Sequence, residues 1–477
     1  MRSKKFYVTC AIPYVNAPPH VGHALEFVQG DTIARYHKLL GEDVRLLSGG
    51  DENALKNVQA AEAAGTPVQT FVDQNTEKFF QLTKDLHCQF DVWQKGSDQK
   101  THFPSSQKLW ELCEKAGDIY KKSYVGLYCV GCEAFYTKEE LNENGECFEH
   151  PGKKLEKVSE ENYFFALSKY QKQLIQLISD NILQVVPDVR KNEVLSFLKQ
   201  PLQDISISRT NERAKSWGVP VPGDPTQRMY VWFDALNIYQ SGVGFGWEEA
   251  TYNKWWPADV HVIGKGISRF HAVYWPAFLL SAKLKPPKSI FIHGYFTVNG
   301  QKMSKTLGNV IDPFALIKTY GADALRYYFL REIPSTSDGD FSERRFKELY
   351  NADLANGLGN LVSRVAKLAE GTPYKGTAPN YESLSIGNYK KALDEFRFHD
   401  ALAIVWETVK ATDQAINNSK PWTLKGTALA AALTPAISAI VEAATLLQPF
   451  LPETAEKILT QFKGTAIQLH PALFPRL

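Results

Sequence analysis

The 477-residue chain has no run approaching about 18 consecutive apolar residues, so a membrane-spanning helix is not expected. Cysteine is scarce, with six in the whole chain, which rules out a disulfide framework and points to a reducing cytosol. Net charge is nearly absent: 54 Lys and Arg face 52 acidic residues, for +2. A nucleic-acid partner is therefore neither required nor excluded, because only a local patch would matter. No internal repeat and no low-complexity tract is visible. The basic opening Met1-Arg-Ser-Lys-Lys5 is followed by a segment too short and too polar for a signal peptide. What remains is a globular composition, 44% hydrophobic and 22% charged, long enough for two to four domains.

The first third reads as strand, helix, strand. Phe6 to Ala11 is a short strand, and Pro13, Pro18 and Pro19 stiffen the connection after it. A helix starts near Val21 and runs to a natural stop at Gly41. Val44 to Leu47 gives the next strand, ending at Gly49-Gly50-Asp51. That order predicts a parallel sheet with ligands at the carboxyl ends of its strands. Residues from about 117 to 228 are rich in Lys, Glu, Asn and Gln and read as an insertion. Sheet signals return at Tyr230–Phe233, His261–Ile263 and Ile290–Ile292. From Asn351 onward Leu354, Leu358, Leu361, Val365 and Leu368 recur at helical spacing, which predicts a helix bundle, with Gly371 to Asn388 as a long loop.

Three constellations carry chemistry. In His20-Val21-Gly22-His23 two imidazoles three apart share one face at the mouth of a helix, where free N–H groups suit phosphate. Gly22 lets a flat ring approach the backbone. Lys302-Met303-Ser304-Lys305-Thr306 places two cations in a glycine-flanked loop able to clamp a polyphosphate. Cys129-x2-Cys132 and Cys147-x2-His150 form two knuckles with tetrahedral zinc spacing; four filled positions make that metal structural. Cys10, Cys88 and Cys113 have no such partners and read as small buried residues.

Taken together, His20–His23 and Lys302–Thr306 resemble the two signatures of the class I aminoacyl-tRNA synthetases. Within that class the chain resembles the methionyl-tRNA synthetases over nearly its whole length, as in Val8–Asn16, Tyr230–Ala235, Ile263–Lys265, Phe270-His271 and Trp275-Pro276. The resemblance implies an α/β, Rossmann-like parallel-sheet catalytic domain in two halves, 1–117 and 229–325. A zinc-binding connective insertion at 118–228 would interrupt it. A linker at 326–350 and an α-helical anticodon-binding bundle at 351–477 would follow. It implies ATP binding by His20, Gly22, His23, Lys302, Ser304 and Lys305, with His20, His23, Lys302, Lys305 and Arg209 catalytic. A methionine pocket would come from Ile12, Tyr14, Trp232, Ala235, Tyr239, Ile267 and His271, with Asp51 meeting the α-ammonium. Asn360, Arg364 and Trp422 would read the anticodon.

The implied reaction joins methionine to its tRNA through a methionyl-adenylate, with magnesium accompanying ATP and no dedicated protein cage for it. Another class I synthetase, or a tRNA-binding paralogue without catalysis, is the alternative. No appended C-terminal dimerisation module is visible, so the expectation is a cytoplasmic monomer with no membrane partner. Two positions depart from the family pattern. Asn53-Ala54 stand where His-Gly is usual, and Gly266 stands where Asp is usual.

Overall fold

A computed structural model describes residues 4–129, 134–136, 140–148, 152–303, 308–372, 381, 386–463 and 466–477. Its centre is a parallel sheet of six strands, in the spatial order Val92–Lys95, Asp43–Gly50, Lys5–Cys10, Val260–Gly264, Ser289–His293, Gln184–Val186. Every neighbouring pair runs parallel, with Val8 opposite Val260 and Lys5 opposite Asp43. Val8, Leu46, Val262, Phe291 and Ile292 are fully buried, as strands covered on both faces require. The winding direction reverses between Lys5–Cys10 and Val260–Gly264, and such a reversal opens a crevice at the strands' carboxyl ends.

The helix Val21–Leu39 follows the first strand, as its periodicity predicts, and Gly41 at φ +77° ends it. The strand signals at 261–263 and 290–292 also hold. Tyr230–Phe233 does not: Val231–Ser241 is a helix. All eleven of its residues are buried, Asp234, Asn237, Gln240 and Ser241 included, so no solvent-facing side gives the sequence an amphipathic stripe. Its aromatic and β-branched opening imitates a strand over four residues, too few for a period to declare itself.

In the region expected as an insertion, Ile119–Cys129 and Glu156–Phe165 form a long antiparallel pair, flanked by Ala134–Tyr136 and Ile205–Ser206. The same region also supplies Gln184–Val186, the edge strand of the central sheet.

The C-terminal part is helical: Asn360–Ala369, Gly387–Asp394, Phe398–Ser419, Gly426–Leu447 and Pro452–Phe462. Gly426–Leu447 is long and apolar enough to cross a membrane. Here it packs between Phe398–Ser419 and Pro452–Phe462, with Leu433, Ile437, Ile440 and Leu447 in the core. Of the helical run expected from Leu354, Leu354, Leu358, Leu361 and Val365 are buried and Leu368 partly so. The long loop expected at 371–388 falls mostly outside the described residues.

One core joins the sheet's flank to this helical part. At the seam Arg326, wholly buried on helix Ala322–Arg331, meets Asp31 of the first helix at 2.8 Å. It also donates from Nε to the Phe450 carbonyl at 2.7 Å and from Nη2 to that of Pro449 at 2.8 Å.

Candidate active site

The crevice at the switch point is a cavity of about 510 Å³. Its walls come from the segment after the first strand, the first helix, and the segment after Val260–Gly264.

His20 is the N-cap of helix Val21–Leu39, with extended backbone at φ −129°. Its Nδ1 accepts the Gly22 N–H at 3.1 Å, and His23 Nδ1 accepts the His20 N–H at 3.2 Å. The two rings stack at 3.8 Å. With both Nδ1 atoms accepting, each neutral ring carries its proton on Nε2. Burial, then the neighbouring His20, holds His23 well below the usual histidine range. The pair therefore presents N–H donors beside the positive end of a helix. Capping and lining are not competing roles here, because one nitrogen of each ring serves each. A Cβ on Gly22 would stand 2.9 Å from His20 Cε1, so the flat ring that approaches this glycine is that of His20.

Met303 lines the same cavity, its Cε 3.6 Å from where that Cβ would be. The second signature thus reaches the first across some 280 positions. Lys302 closes a short hairpin with Thr297, whereas Ser304 and Lys305 lie outside the described residues. The same cavity is also lined by a largely apolar set, Ile12, Tyr14, Trp232 and Ile267. Trp232 stacks flat on Phe270 at 3.7 Å and meets Tyr14 edge-on at 6.1 Å.

The family model described as tRNA synthetases class I (M) matches residues 6–366. The chain belongs to that family. It is 40% identical to the methionine--tRNA ligase of Thermotoga maritima, over 95% of this chain and 74% of that protein. It is equally similar to that of Brucella suis, over 96% and 92%. Among solved structures, Mycobacterium tuberculosis methionyl-tRNA synthetase in complex with methionyl-adenylate superposes with a TM-score of 0.91 at 37% identity, covering 99% of this chain and all of that one.

In this synthetase the remaining expected pocket residues form a second layer. Tyr239 and His271, each 1% exposed, stand behind the cavity wall, and so does Ala235. The Tyr239 hydroxyl donates to His271 Nε2 at 2.7 Å, while His271 Nδ1 donates to the Ile267 carbonyl at 3.0 Å. Burial pushes the His271 imidazole down to about 4, so it stays neutral. Asp51 is buried and bridges to Tyr14 in a single parallel pairing. It does not cap the next helix, whose N-cap is Ala54. Arg209 is not in the cavity wall. It lies buried under the rings of Tyr230 and Tyr128, at 4.4 and 5.2 Å, and donates to the Ser208 carbonyl at 2.6 Å.

Both departures have structural counterparts. Asn53 Nδ2 donates to Asp234 Oδ2 at 2.6 Å and to the Gly96 carbonyl at 2.7 Å, tying the rim to helix Val231–Ser241. Gly266 lines the cavity, and a Cβ there would lie 2.8 Å from the Tyr295 hydroxyl.

Sequence reasoning missed three polar lining residues, Asn16, Glu26 and Tyr295. Glu26 accepts the Ala11 N–H at 2.7 Å and pairs with His293 at 3.1 Å. Its signal was present, since His20, His23 and Glu26 are spaced by three along one helix. Tyr295 gave none, because it reaches the cavity from another segment.

Away from the cavity, Cys129 Sγ and Cys147 Sγ are buried and 3.2 Å apart. Cys132 and His150 fall outside the described residues. Cys10, Cys88 and Cys113 are buried as expected. On the helical part Asn360 is exposed. The Arg364 guanidinium is held by Asp413 at 2.7 Å and Asn417 at 2.9 Å. Trp422 is 52% exposed, so core packing does not explain its place.

Proposed function

We propose that this chain is a methionine--tRNA ligase acting through a methionyl-adenylate. One observation carries the reading: a single cavity is lined both by His20 and His23, at a helix N-terminus, and by the largely apolar Ile12, Tyr14, Trp232 and Ile267. A thioether suits the second set and a polyphosphate the first.

The methionine carboxylate attacks the α-phosphorus of ATP, the bond to the β-phosphate oxygen breaks, and pyrophosphate leaves. The terminal adenosine hydroxyl of the tRNA then attacks the acyl carbon, and AMP leaves. No enzyme nucleophile takes part. His20 and His23 donate from Nε2 to the phosphates, Lys302 and Lys305 neutralise charge that develops there, and Gly22 gives the His20 ring its place. Asp51 faces the α-ammonium, while Tyr239, His271 and Ala235 back the side-chain pocket. Arg209 assists from outside the cavity wall. Asn360, Arg364 and Trp422 read the anticodon, the exposed indole offering a stacking face.

Magnesium accompanies the triphosphate. Zinc would be held by Cys129, Cys132, Cys147 and His150, and the convergence of two buried sulfurs well beyond disulfide length supports it. Its role is structural. The catalytic halves are 1–117 and 229–325, with 118–228 connective, 326–350 a linker and 351–477 the RNA-reading bundle. The chain works as a cytoplasmic monomer, which a sedimentation mass near twice 53.7 kDa would refute.

Methionine-dependent ATP–pyrophosphate exchange tests the reading. His23→Ala and Lys305→Ala should each slow it by about 2–4 kcal/mol of barrier, with the thermal midpoint retained. Exchange driven by leucine or cysteine but not methionine would overturn it.

A further inference from the structure

We propose that Lys56 is a positioning residue for the amino-acid end of the cavity, its charge holding the Tyr14 ring in place from behind. The inference deepens the reading that this cavity binds methionine and rests on it. Tyr14 lines the cavity, and Lys56 does not. The Lys56 ammonium lies 3.0 Å from the centre of the Tyr14 ring. A cation so placed is attracted by the electron-rich face of the ring, and more strongly where water is scarce. Lys56 is half-buried. Tyr14 also meets Trp232 edge-on at 6.1 Å, and Trp232 lies flat on Phe270 at 3.7 Å. The ammonium therefore stands at the end of a chain of contacts that fixes the aromatic lining.

The element that carries Lys56 has a second grip on the same end. Lys56 and Asn57 belong to the first turn of helix Leu55–Ala63. Asn57, fully buried, donates from Nδ2 to the Asp51 carbonyl at 2.8 Å. The Asp51 N–H donates to the Pro13 carbonyl at 2.9 Å, and Asp51 pairs with Tyr14 in one parallel bridge. A single helical turn thus holds the backbone of the carboxylate assigned to the α-ammonium and the ring assigned to the side-chain pocket. The helix itself gains nothing from the charge. A cation in the first turn opposes the positive end of the helix dipole, and that turn holds no acidic residue. The ring supplies a compensating attraction. Like charges repel, so a ring already bearing one cation is a poor partner for a second. That leaves the α-ammonium to Asp51 and the ring to the neutral thioether.

The test is methionine-dependent pyrophosphate exchange by the whole chain, with KM measured separately for methionine and for ATP. Lys56→Met keeps most of the stem and removes the charge. It should raise KM for methionine about 3- to 10-fold and leave KM for ATP within about twofold. Lys56→Arg keeps a cation over the ring and should stay within about twofold of the parent for both. In a Tyr14→Leu background, with no ring to hold, Lys56→Met should add less than about twofold. An unchanged KM for methionine in Lys56→Met, or an equal loss with and without the ring, would overturn the inference. So would parallel rises in both KM values, the mark of a general structural role. The parent chain separates the two readings. If methionine drives no exchange in the parent, the proposed function falls and this inference with it. If the parent exchanges and Lys56→Met matches it, this inference alone falls.

Discussion

Each imidazole at the mouth of the first helix has its Nδ1 committed to a backbone N–H, and both residues line the cavity. That commitment makes a neutral ring a donor at Nε2, and burial holds His23 well below the usual histidine range. Trp422 is the opposite case, a large apolar side chain held in solvent. Removing it should cost the fold less than about 0.5 kcal/mol, the usual range for surface positions. If it stacks on an unpaired base, Trp422→Ala should weaken tRNA charging by about 1–3 kcal/mol and leave pyrophosphate exchange intact. Equal losses in both assays would refute the anticodon role. At this scale the sequence was readable where spacing fixed geometry: three residues between His20 and His23 dictate a shared face. It was less readable in depth. Nothing in the string separates Trp232, on the wall, from Tyr239, one layer behind, since both sit on a helix buried all round. Tyr295 was invisible because its place depends on an absent side chain at 266.

Among the elements, the long antiparallel pair Ile119–Cys129 and Glu156–Phe165 ends where Cys129 meets Cys147. A closed metal knuckle would staple that end. Purified protein should therefore carry about one zinc per chain by metal analysis, and Cys147→Ser should lose it and raise protease sensitivity near 130–150. Metal-free protein with an unchanged thermal midpoint would contradict this. The element most misread was Val231–Ser241. Its opening has strand composition, and only the continuation to Gln240 and Ser241 shows its length to be helical. The strand Gln184–Val186 was unreadable for another reason: three residues carry no pattern, and their pairing with Ser289–Phe291 is set by the assembled sheet.

For the whole molecule, the seam between sheet and bundle hangs on a sealed ion pair. Arg326→Met would leave Asp31 with less compensation and would orphan the carbonyls of Pro449 and Phe450, so a loss of about 3–5 kcal/mol is expected in urea unfolding. Asp31→Asn together with Arg326→Met should recover part of it. A change under about 0.5 kcal/mol would show that the seam carries no strain on that pair. Acid should act on the whole molecule through its sealed imidazoles. Burial pushes His102 down to about 3 and His271 to about 4, and it holds His261 well below its ordinary value. These rings are neutral when folded and protonated when unfolded below about pH 6.5, so the unfolded chain binds more protons there. Stability must then fall as pH drops from about 6.5 toward 4, by up to about 1.4 kcal/mol per pH unit for each ring. A thermal midpoint flat between pH 7 and 5 would contradict the burial of these rings.

The helix that begins at His20 also bears Asp31, roughly 16 Å further along its axis. One rigid rod is therefore anchored in the crevice at its tip and bolted at mid-length to the turn before the last long helix. A torque applied where the bundle grips Arg326 has no soft joint to dissipate in before it reaches the two stacked rings.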